Sequence, residues 1–249
     1  MNRFSNRVEN YIKYRPSYPA DAVAFLKAEG LLNSSARIAD IGSGTGISAE
    51  LFLKEGYTVL GVEPNDEMRL AAENLIGHYT DFKSVNATAE DTSLEKDSVD
   101  LIIAGQAFHW FDTVRCKREF KRILNKNGFV VLMWNDRRIK SSLFLQAYED
   151  FIRMFATDYL EVNHKNIEDK VFEEFFDGEY KTKTFLNNHL LDLEGLKGRV
   201  LSSSYMPAEE HKDFDFMMSV LKKIFTRFQE NGTVNIEYDT RIYYGKLNK

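Results

Sequence analysis

The chain has 249 residues, a formal net charge of −5 and a sequence pI near 5.7. This acidic balance gives no global basic footprint for nucleic acid, and 43% hydrophobic residues suffice for the core of one large domain. The single cysteine, Cys116, excludes a disulfide within the chain and argues against a thiolate metal cluster, so no metal site is predicted. No apolar run approaches the ~20 residues of a membrane helix, so we expect a cytoplasmic protein without a membrane partner.

The first 19 residues form a polar and aromatic arm that carries Tyr11, Tyr14 and Arg15. Two prolines follow, and they end any helix and favour extended backbone in the residues before them. Two interpretations stay open. The arm packs against the domain, or it is a lid whose tyrosines and Arg15 close over a ligand.

Residues 20–135 alternate between strand and helix patterns. Helices are predicted at 19–29, from Ile47 to near Gly56, from Pro64 onward and at 115–124. Strands are predicted at 37–41, 57–63, 82–87, 98–104 and 129–134, with a turn at 126–128 before the last. A strand, a glycine turn, a helix and a second strand in this order form a right-handed crossover unit of a parallel sheet.

After Trp134 the regular alternation ends. Helices are predicted at 143–155, 193–201 and 213–229, with further helical signal in 163–177, and strands at 179–191 and 233–245. The two late strands predict a hairpin that joins the parallel sheet. We expect a single domain over 1–249 with the following parts: a lid arm 1–19, a cofactor-binding core 20–135, a substrate-covering insertion 136–230 and a final strand within 231–249.

The central motif is the turn Asp40-Ile41-Gly42-Ser43-Gly44-Thr45-Gly46, between an apolar strand and a helix. Free N–H groups at such a helix start face a ligand. Nicotinamide and flavin sites show G-x-G-x-x-G, but here the third glycine comes one residue early and Asp40 precedes the first. A carboxylate at this point would repel a pyrophosphate and attract an ammonium or sulfonium group. The charge argument therefore favours S-adenosylmethionine over NAD.

Glu63 is the last residue of the second predicted strand. A carboxylate at that position can accept hydrogen bonds from both hydroxyl groups of a ribose. The alternative is a helix-capping or surface acid. The aromatic loop 105–112 follows the fourth strand and reaches the same carboxyl edge of the sheet, where open α/β sheets bind ligands.

With these motifs, the chain resembles the class I S-adenosylmethionine-dependent methyltransferases. More narrowly, the arm and the loop 107–111 are similar to those of the type 11 small-molecule branch that includes trans-aconitate methyltransferases. The resemblance covers residues 8–135, and the remainder only as architecture. The predicted fold class is α/β: a Rossmann-like, doubly wound, seven-stranded sheet, mostly parallel with a C-terminal antiparallel hairpin, plus helical lid elements.

The resemblance implies a set of residues around the cofactor. Those that would cradle its methionine part and sugar are Asp40, Gly42, Ser43, Gly44 and Gly46, with Glu63 on the ribose hydroxyls. Those that would lie beside its adenine are Pro64, Asn65, Met68, Ala89, Glu90 and Asp91.

The resemblance also implies a second set nearer the methyl acceptor. Gln106 and Ala107 would lie near the methionine part, and His109 and Trp110 would face the acceptor. Tyr11, Tyr14 and Arg15 would form the lid over both ligands.

The expected reaction is an in-line displacement in which most of the catalysis comes from alignment in a closed site. A carboxylate acceptor needs no base, whereas a hydroxyl or amine acceptor does, and His109 is the candidate. Its alternative is a structural histidine packed among the aromatic residues of its loop. A carboxylate acceptor would require a cation, with Arg15, Arg137 and Arg138 as candidates. The alternative for the Arg137–Arg138 pair is a solvated surface.

The sequence therefore predicts methyl transfer from S-adenosylmethionine to a small molecule, with a carboxylate among the acceptors considered. Two rivals stay open: an NAD-dependent oxidoreductase and a non-catalytic cofactor-binding module. The acidic balance and the lack of an Asn/Asp-Pro-Pro-aromatic run disfavour a nucleic-acid methyltransferase. The expected assembly is a monomer or a homodimer.

Overall fold

The structure is a computed structural model that describes residues 8–159 and 168–248. It contains a seven-stranded mixed sheet of order β3-β2-β1-β4-β5-β7-β6, mostly parallel with a C-terminal antiparallel hairpin. The strands are β1 Arg37–Ile41, β2 Thr58–Val62, β3 Phe82–Val85, β4 Val99–Gly105, β5 Leu124–Arg137, β6 Tyr180–Leu191 and β7 Val234–Gly245. The predicted fold class is confirmed.

Nine α-helices lie in the described ranges. They are α1 Val8–Tyr14, α2 Asp21–Ala28, α3 Ile47–Leu53, α4 Asp66–Ile76, α5 Thr113–Ile123, α6 Leu143–Phe155, α7 Asp169–Phe175, α8 Leu193–Leu201 and α9 Phe214–Phe228. A short 3-10 helix covers Phe108–Trp110. No helix in this part of the chain has both the length and the apolar character needed to cross a bilayer.

The central parallel strands are apolar because both of their faces are covered. β1 pairs with β2 through Ile41 and Val62, and with β4 through Ala39 and Ile102. Alternate residues of each strand enter two different clusters of buried side chains: Ile38 belongs to one and Ala39 to the other. This period of two is the geometry of a strand buried on both faces, and it brings the carboxyl ends of β1, β2 and β4 to one edge.

Most predicted boundaries agree with the structure, and those of β1, α6 and α8 agree residue for residue. The turn predicted at 126–128 is wrong as a boundary, because β5 already begins at Leu124. Its pairing with β4 jumps from Val99–Leu124 to Leu101–Phe129, so the predicted turn is an irregularity within the strand. The predictions for residues 1–7 and 163–167 lie outside the described residues.

The chain divides into two compact units. The sheet unit comprises Ser17–Asn135, Ile167–Phe185 and Thr240–Lys249, and it holds the two clusters on the sheet faces. The helical unit comprises Met1–Pro16, Asp136–Asn166 and Leu186–Asp239. Its core consists of buried residues from α6, α8, α9 and the first part of β7. The ranges of β5, β6 and β7 each extend across a boundary between the units.

Candidate functional site

The glycine turn after β1 requires glycine for two different reasons. Gly42, Gly44 and Gly46 all have positive φ, at 69°, 56° and 87°. A Cβ on Gly42 would lie 2.7 Å from the Cβ of Ala107, and one on Gly46 would lie 2.5 Å from Cδ1 of Ile76. For Gly44 the nearest atom would be Cε of Met68, at 3.9 Å. The outer glycines therefore permit close packing within the protein, while Gly44 leaves space beside Met68.

Asp40, at the end of β1, is a fully buried carboxylate. The Ser48 hydroxyl donates a hydrogen bond to its Oδ2 at 2.7 Å, while Oδ1 has no partner among the described residues. Burial, together with the charge of Glu63, raises the pKa of Asp40 to about 7. The buried hydroxyl of Thr45 in the same turn also lacks a partner within the described ranges. Buried polar atoms without partners are rare, and their presence here fits a ligand with a donor that faces Asp40.

Glu63 links the end of β2 to the glycine turn. Its Oε2 accepts a hydrogen bond from the Gly44 N–H, and its Oε1 accepts one from the Asn65 N–H, both at 2.9 Å. Burial raises the pKa of this carboxyl. The helix-capping role belongs to Asn65, whose side-chain oxygen accepts from the Met68 N–H at 3.0 Å. Each oxygen of Glu63 keeps lone-pair capacity for a further hydroxyl donor.

The remaining cofactor candidates of the sheet unit differ in their environments. Ser43 is buried, and its N–H donates to the carbonyl of Val62 at 3.2 Å. Ala89 is buried, and Glu90 accepts a hydrogen bond from the Asp112 N–H at 2.9 Å. Pro64 is partly buried at the start of α4.

The loop after β4 packs directly on the glycine turn. Gln106 has a positive φ of 55°, and its N–H donates to the carbonyl of Met133 at 2.8 Å. A Cβ on Gly105 would lie 2.7 Å from the Tyr18 hydroxyl and 3.2 Å from the Ser48 hydroxyl. Tyr18 lies in the predicted arm 1–19 but is not among the predicted site residues. The Tyr18-Pro19 pair at the end of the arm is the feature of the sequence that could have indicated this position.

His109 and Trp110 lie in the 3-10 helix Phe108–Trp110, with their ring centroids 4.8 Å apart. Phe108 anchors this turn, because it is buried and its ring packs against four other aromatic rings: Phe111, Trp134, Phe172 and Phe175. Trp110 is 50% exposed, although it lies in the loop between Phe108 and Phe111, which both belong to this aromatic cluster. The loop therefore has one buried anchor and presents Trp110 outward.

Comparison with known proteins gives a family match within the sheet unit. Residues 39–132 match a family described as a methyltransferase domain. This part of the chain is thus similar to class I methyltransferase domains of the type 11 branch. The match includes the glycine turn, Glu63 and the loop after β4, so the resemblance inferred from these motifs is confirmed.

The relatives differ in how much of this chain their alignments cover. An uncharacterized methyltransferase of Mycobacterium tuberculosis is 34% identical over 134 residues, which are 54% of this chain and 52% of that protein. The chain thus spans about half the length of this relative. An uncharacterized methyltransferase of Schizosaccharomyces pombe is 25% identical over 244 residues, 96% of this chain and 95% of that protein.

The fold is shared with a solved structure from Anaeromyxobacter dehalogenans, provisionally named a type II methyltransferase. The two superpose with a TM-score of 0.70 at 18% identity, over 95% of this chain and 100% of that chain.

In the helical unit, α1 packs on α8. The ring of Tyr14 occupies the place that a Cβ on Gly198 would take, with the nearest ring atom at 2.0 Å. The Arg15 guanidinium lies 4.7 Å from the ring centroid of Tyr11 and donates to the carbonyl of Ser202 at 2.8 Å. The structure therefore brings Tyr11, Tyr14 and Arg15 together within this unit.

Arg137 and Arg138 differ in environment. The Arg137 guanidinium is buried, forms an ion pair with Glu149 and lies 5.1 Å from the Tyr148 ring centroid. The Arg138 side chain is 40% exposed, with Glu237 and Asp239 at 3.8 and 3.7 Å. The surface interpretation is thus wrong for Arg137, because its side chain is 9% exposed and pairs with Glu149 of α6.

Arg199 was missed by the sequence analysis. It lies on α8, is 6% exposed, and its Nη1 donates to the Ser203 hydroxyl at 2.9 Å. Its Nε lies 3.4 Å from the Tyr238 hydroxyl. A signal was present, because Arg199 stands three residues after the buried Leu196 and therefore on the same side of the helix.

Proposed function

We propose that this protein transfers a methyl group from S-adenosylmethionine to a small-molecule acceptor. The observation that carries the proposal is the buried carboxylate of Asp40, with an unpartnered oxygen at the glycine turn. Asp40 and Glu63 are two carboxyl groups at one glycine turn. In an enzyme that binds a dinucleotide, such a turn would hold a pyrophosphate. Such a pair repels a pyrophosphate and suits a ligand that carries an ammonium group and a ribose.

Four residues would hold the cofactor. Asp40 would accept from the ammonium group, Glu63 would accept from the ribose hydroxyls, and Met68 would pack beside the adenine. The Thr45 hydroxyl would find its partner on the same ligand. When bound, S-adenosylmethionine supplies an electrophilic methyl group on a sulfonium centre.

In the same proposal, residues of the loop after β4 and of the arm bind the methyl acceptor. The exposed Trp110 would form an apolar surface for the acceptor. His109 would take a proton from a hydroxyl or amine acceptor, whereas a carboxylate acceptor is already a nucleophile. Tyr11, Tyr14 and Arg15 would close over the ligands, and Arg137 would contribute positive charge. This proposal includes a division of the chain into functional parts. They are a lid arm 1–19, the core 20–135, an insertion 136–230 and the final strand within 231–249.

Calorimetry tests the cofactor assignment. We expect S-adenosylmethionine and its demethylated product to bind at micromolar concentration, and NAD not to compete. Asp40→Ala and Glu63→Ala should each weaken binding. Glu67→Gln is the matched control, because Glu67 is exposed and lies next to the cofactor residue Met68 in α4.

Unchanged affinity in both alanine variants would refute the site, and competition by NAD would favour the oxidoreductase. A screen of small acids, phenols and amines for release of the demethylated cofactor then separates an enzyme from a non-catalytic module. Cofactor binding without turnover on any acceptor would favour the module.

A further inference from the structure

A buried serine at the start of α3 is bonded to the carboxylate that ends β1. Ser48 is the second residue of α3 and is 4% exposed. A serine inside a helix commonly faces solvent or bonds to the backbone of the preceding turn. The Ser48 hydroxyl donates instead to Oδ2 of Asp40, at 2.7 Å and eight residues earlier in the chain. This bond joins the first turn of α3 to the end of β1, on either side of the glycine turn.

The bond decides how the Asp40 carboxylate is oriented. Rotation about the Cβ–Cγ bond of an aspartate has broad energy minima, so covalent geometry alone does not fix the plane of the carboxylate. A hydrogen bond to Oδ2 fixes it. Asp40 is fully buried, and its Oδ1 has no partner among residues 8–159 and 168–248. The Ser48 hydroxyl therefore occupies one oxygen of the carboxylate and leaves the other for a ligand.

Gly105, at the end of β4, shows how closely the Ser48 hydroxyl is packed. A Cβ on Gly105 would lie 3.2 Å from Oγ of Ser48 and 2.7 Å from the hydroxyl oxygen of Tyr18. Gly105 is not among the glycines with positive φ, so space rather than backbone conformation limits the side chain at this position. Packing against Gly105 therefore restricts the Ser48 hydroxyl in addition to its bond with Asp40.

The charges around Asp40 make this hydroxyl important for the ionised form. Burial and the charge of Glu63, at the end of β2, raise the pKa of Asp40 to about 7. The Ser48 hydroxyl and the Ala49 N–H, both in α3, oppose that rise because they stabilise the ionised carboxylate. The positive charge of Arg69, on α4, favours the ionised form of Glu63. Without the Ser48 hydroxyl, Asp40 would ionise at a higher pH.

We propose that Ser48 is a positioning residue for the cofactor: its hydroxyl holds the Asp40 carboxylate with Oδ1 free for the ammonium group of S-adenosylmethionine. This inference rests on the proposed function, because it takes the ligand of Asp40 to be that ammonium group. It assigns a role to a residue that follows the glycine motif and acts through Asp40, without a contact to the ligand.

The first test is the pH dependence of affinity for S-adenosylhomocysteine, the demethylated cofactor. Calorimetry on the full chain gives dissociation constants for wild type and Ser48→Ala at pH 6, 7 and 9. Their ratio cancels the titration of the ligand's own ammonium group. We expect Ser48→Ala to weaken binding about tenfold at pH 6 and at most about twofold at pH 9, because only ionised Asp40 attracts the ammonium group. A ratio that is constant, or that grows with pH, would overturn the proposal.

A second ligand separates positioning from general damage to the site. The desamino analogue of S-adenosylhomocysteine lacks only the ammonium group, and its affinity is measured at pH 6 by displacement of the parent ligand. Ser48→Ala should leave this affinity within about twofold of wild type, because the missing group is the one that Asp40 would bind. An equal loss of affinity for both ligands would show that Ser48 supports the shape of the site and would overturn the proposal.

Ser142→Ala is the matched control. The Ser142 hydroxyl accepts a hydrogen bond from the Leu145 N–H at 3.1 Å, at the start of α6 in the helical unit. Its loss should lower the melting temperature, yet change the affinity for S-adenosylhomocysteine by less than about twofold at every pH. The same pH-dependent loss in Ser142→Ala as in Ser48→Ala would count against the proposal, because destabilisation alone would then produce it.

A second variant covers the case in which Ser48→Ala does not fold. Ser48→Cys replaces the hydroxyl by a weaker donor of similar size. Its ratio to wild type should again be larger at pH 6 than at pH 9, and a constant ratio would overturn the proposal.

The two proposals fail in distinguishable ways. A wild-type protein that binds S-adenosylhomocysteine with the same pH dependence as Ser48→Ala refutes the role of Ser48 alone. A folded wild-type protein that binds neither S-adenosylmethionine nor its demethylated product refutes the proposed function.

Discussion

The sheet unit and the helical unit bury charges of opposite sign. In the sheet unit the enclosed groups are carboxyls, Asp40 and Glu63, held by hydroxyl and backbone donors. In the helical unit they are guanidinium groups, Arg15 and Arg199, held by neutral oxygens. Among residues 8–159 and 168–248, neither set forms an ion pair with a group of opposite charge. The contrast shows that burial leaves carboxyl groups at the glycine turn and guanidinium groups beside α8 without ion pairs among the described residues, so the two places differ in the sign of their uncompensated charge.

The largest effect should come from the arginine that is paired. Arg137→Met leaves the buried Glu149 carboxylate without its main partner, and we expect a loss of about 3–5 kcal/mol in the free energy of unfolding. Arg138→Met, the exposed control, should cost about 0–1 kcal/mol. Urea denaturation measures both. A loss in Arg199→Gln as large as that in Arg137→Met would break the distinction between paired and unpaired arginines.

The second-largest loss of stability should come from substitutions in the glycine turn. Gly42→Ala adds a Cβ 2.7 Å from Ala107 and keeps a positive φ, so we expect a loss of about 2–4 kcal/mol in the free energy of unfolding. Gly44→Ala has the same backbone strain without the clash and should cost about 1–2 kcal/mol. Denaturant unfolding of the two variants side by side is the measurement. Equal losses would show that packing against Ala107 does not set the requirement for glycine.

The third prediction concerns Asp40, whose buried carboxylate should lower the stability of the folded protein at neutral pH. Its folded-state pKa is raised from the ordinary 3.8 to about 7, so the folded protein holds this proton more tightly than the unfolded chain does. The stability from that proton is present below about pH 4 and is lost as the pH rises to 7. Asp40→Asn should therefore raise the free energy of unfolding by about 2 kcal/mol at pH 8, and by much less at pH 4. A variant less stable than wild type at pH 8 would contradict a costly buried carboxylate.

The smallest effect is the pH dependence of cofactor affinity. An ammonium group favours ionised Asp40, so affinity for S-adenosylmethionine should rise by up to about tenfold per pH unit as the pH approaches 7 from below, and then level off. Calorimetry between pH 5.5 and 8 checks the curve. Asp40→Asn should flatten it, and a flat wild-type curve would place the ammonium away from this carboxyl.

Much of the sheet unit could be predicted from the sequence because its signals are local. Ile38, Ala39 and Ile41 are apolar, since a strand covered on both faces shows no alternation, and the glycines that follow mark a turn into a helix. Glu63 was placed by its distance along the chain from this turn. In the helical unit the bounds of α6 and α8 were predicted as well, and the structure shows that the side chains of Ser142 and Asp192 cap their first turns.

The charged contacts of the helical unit could not be predicted from the sequence, because they join residues far apart in the chain. Arg15 meets the carbonyl of Ser202, and nothing in the arm indicates that partner. Arg199 looked like one charged residue in a short helix until the packing of α8 enclosed it. The sequence by itself determined where the turn at Asp40–Gly46 lies, since backbone sterics and strand burial act over a few neighbouring residues. Only the tertiary structure decided which charges are buried without partners, because desolvation and ion pairing depend on every element that packs around a group.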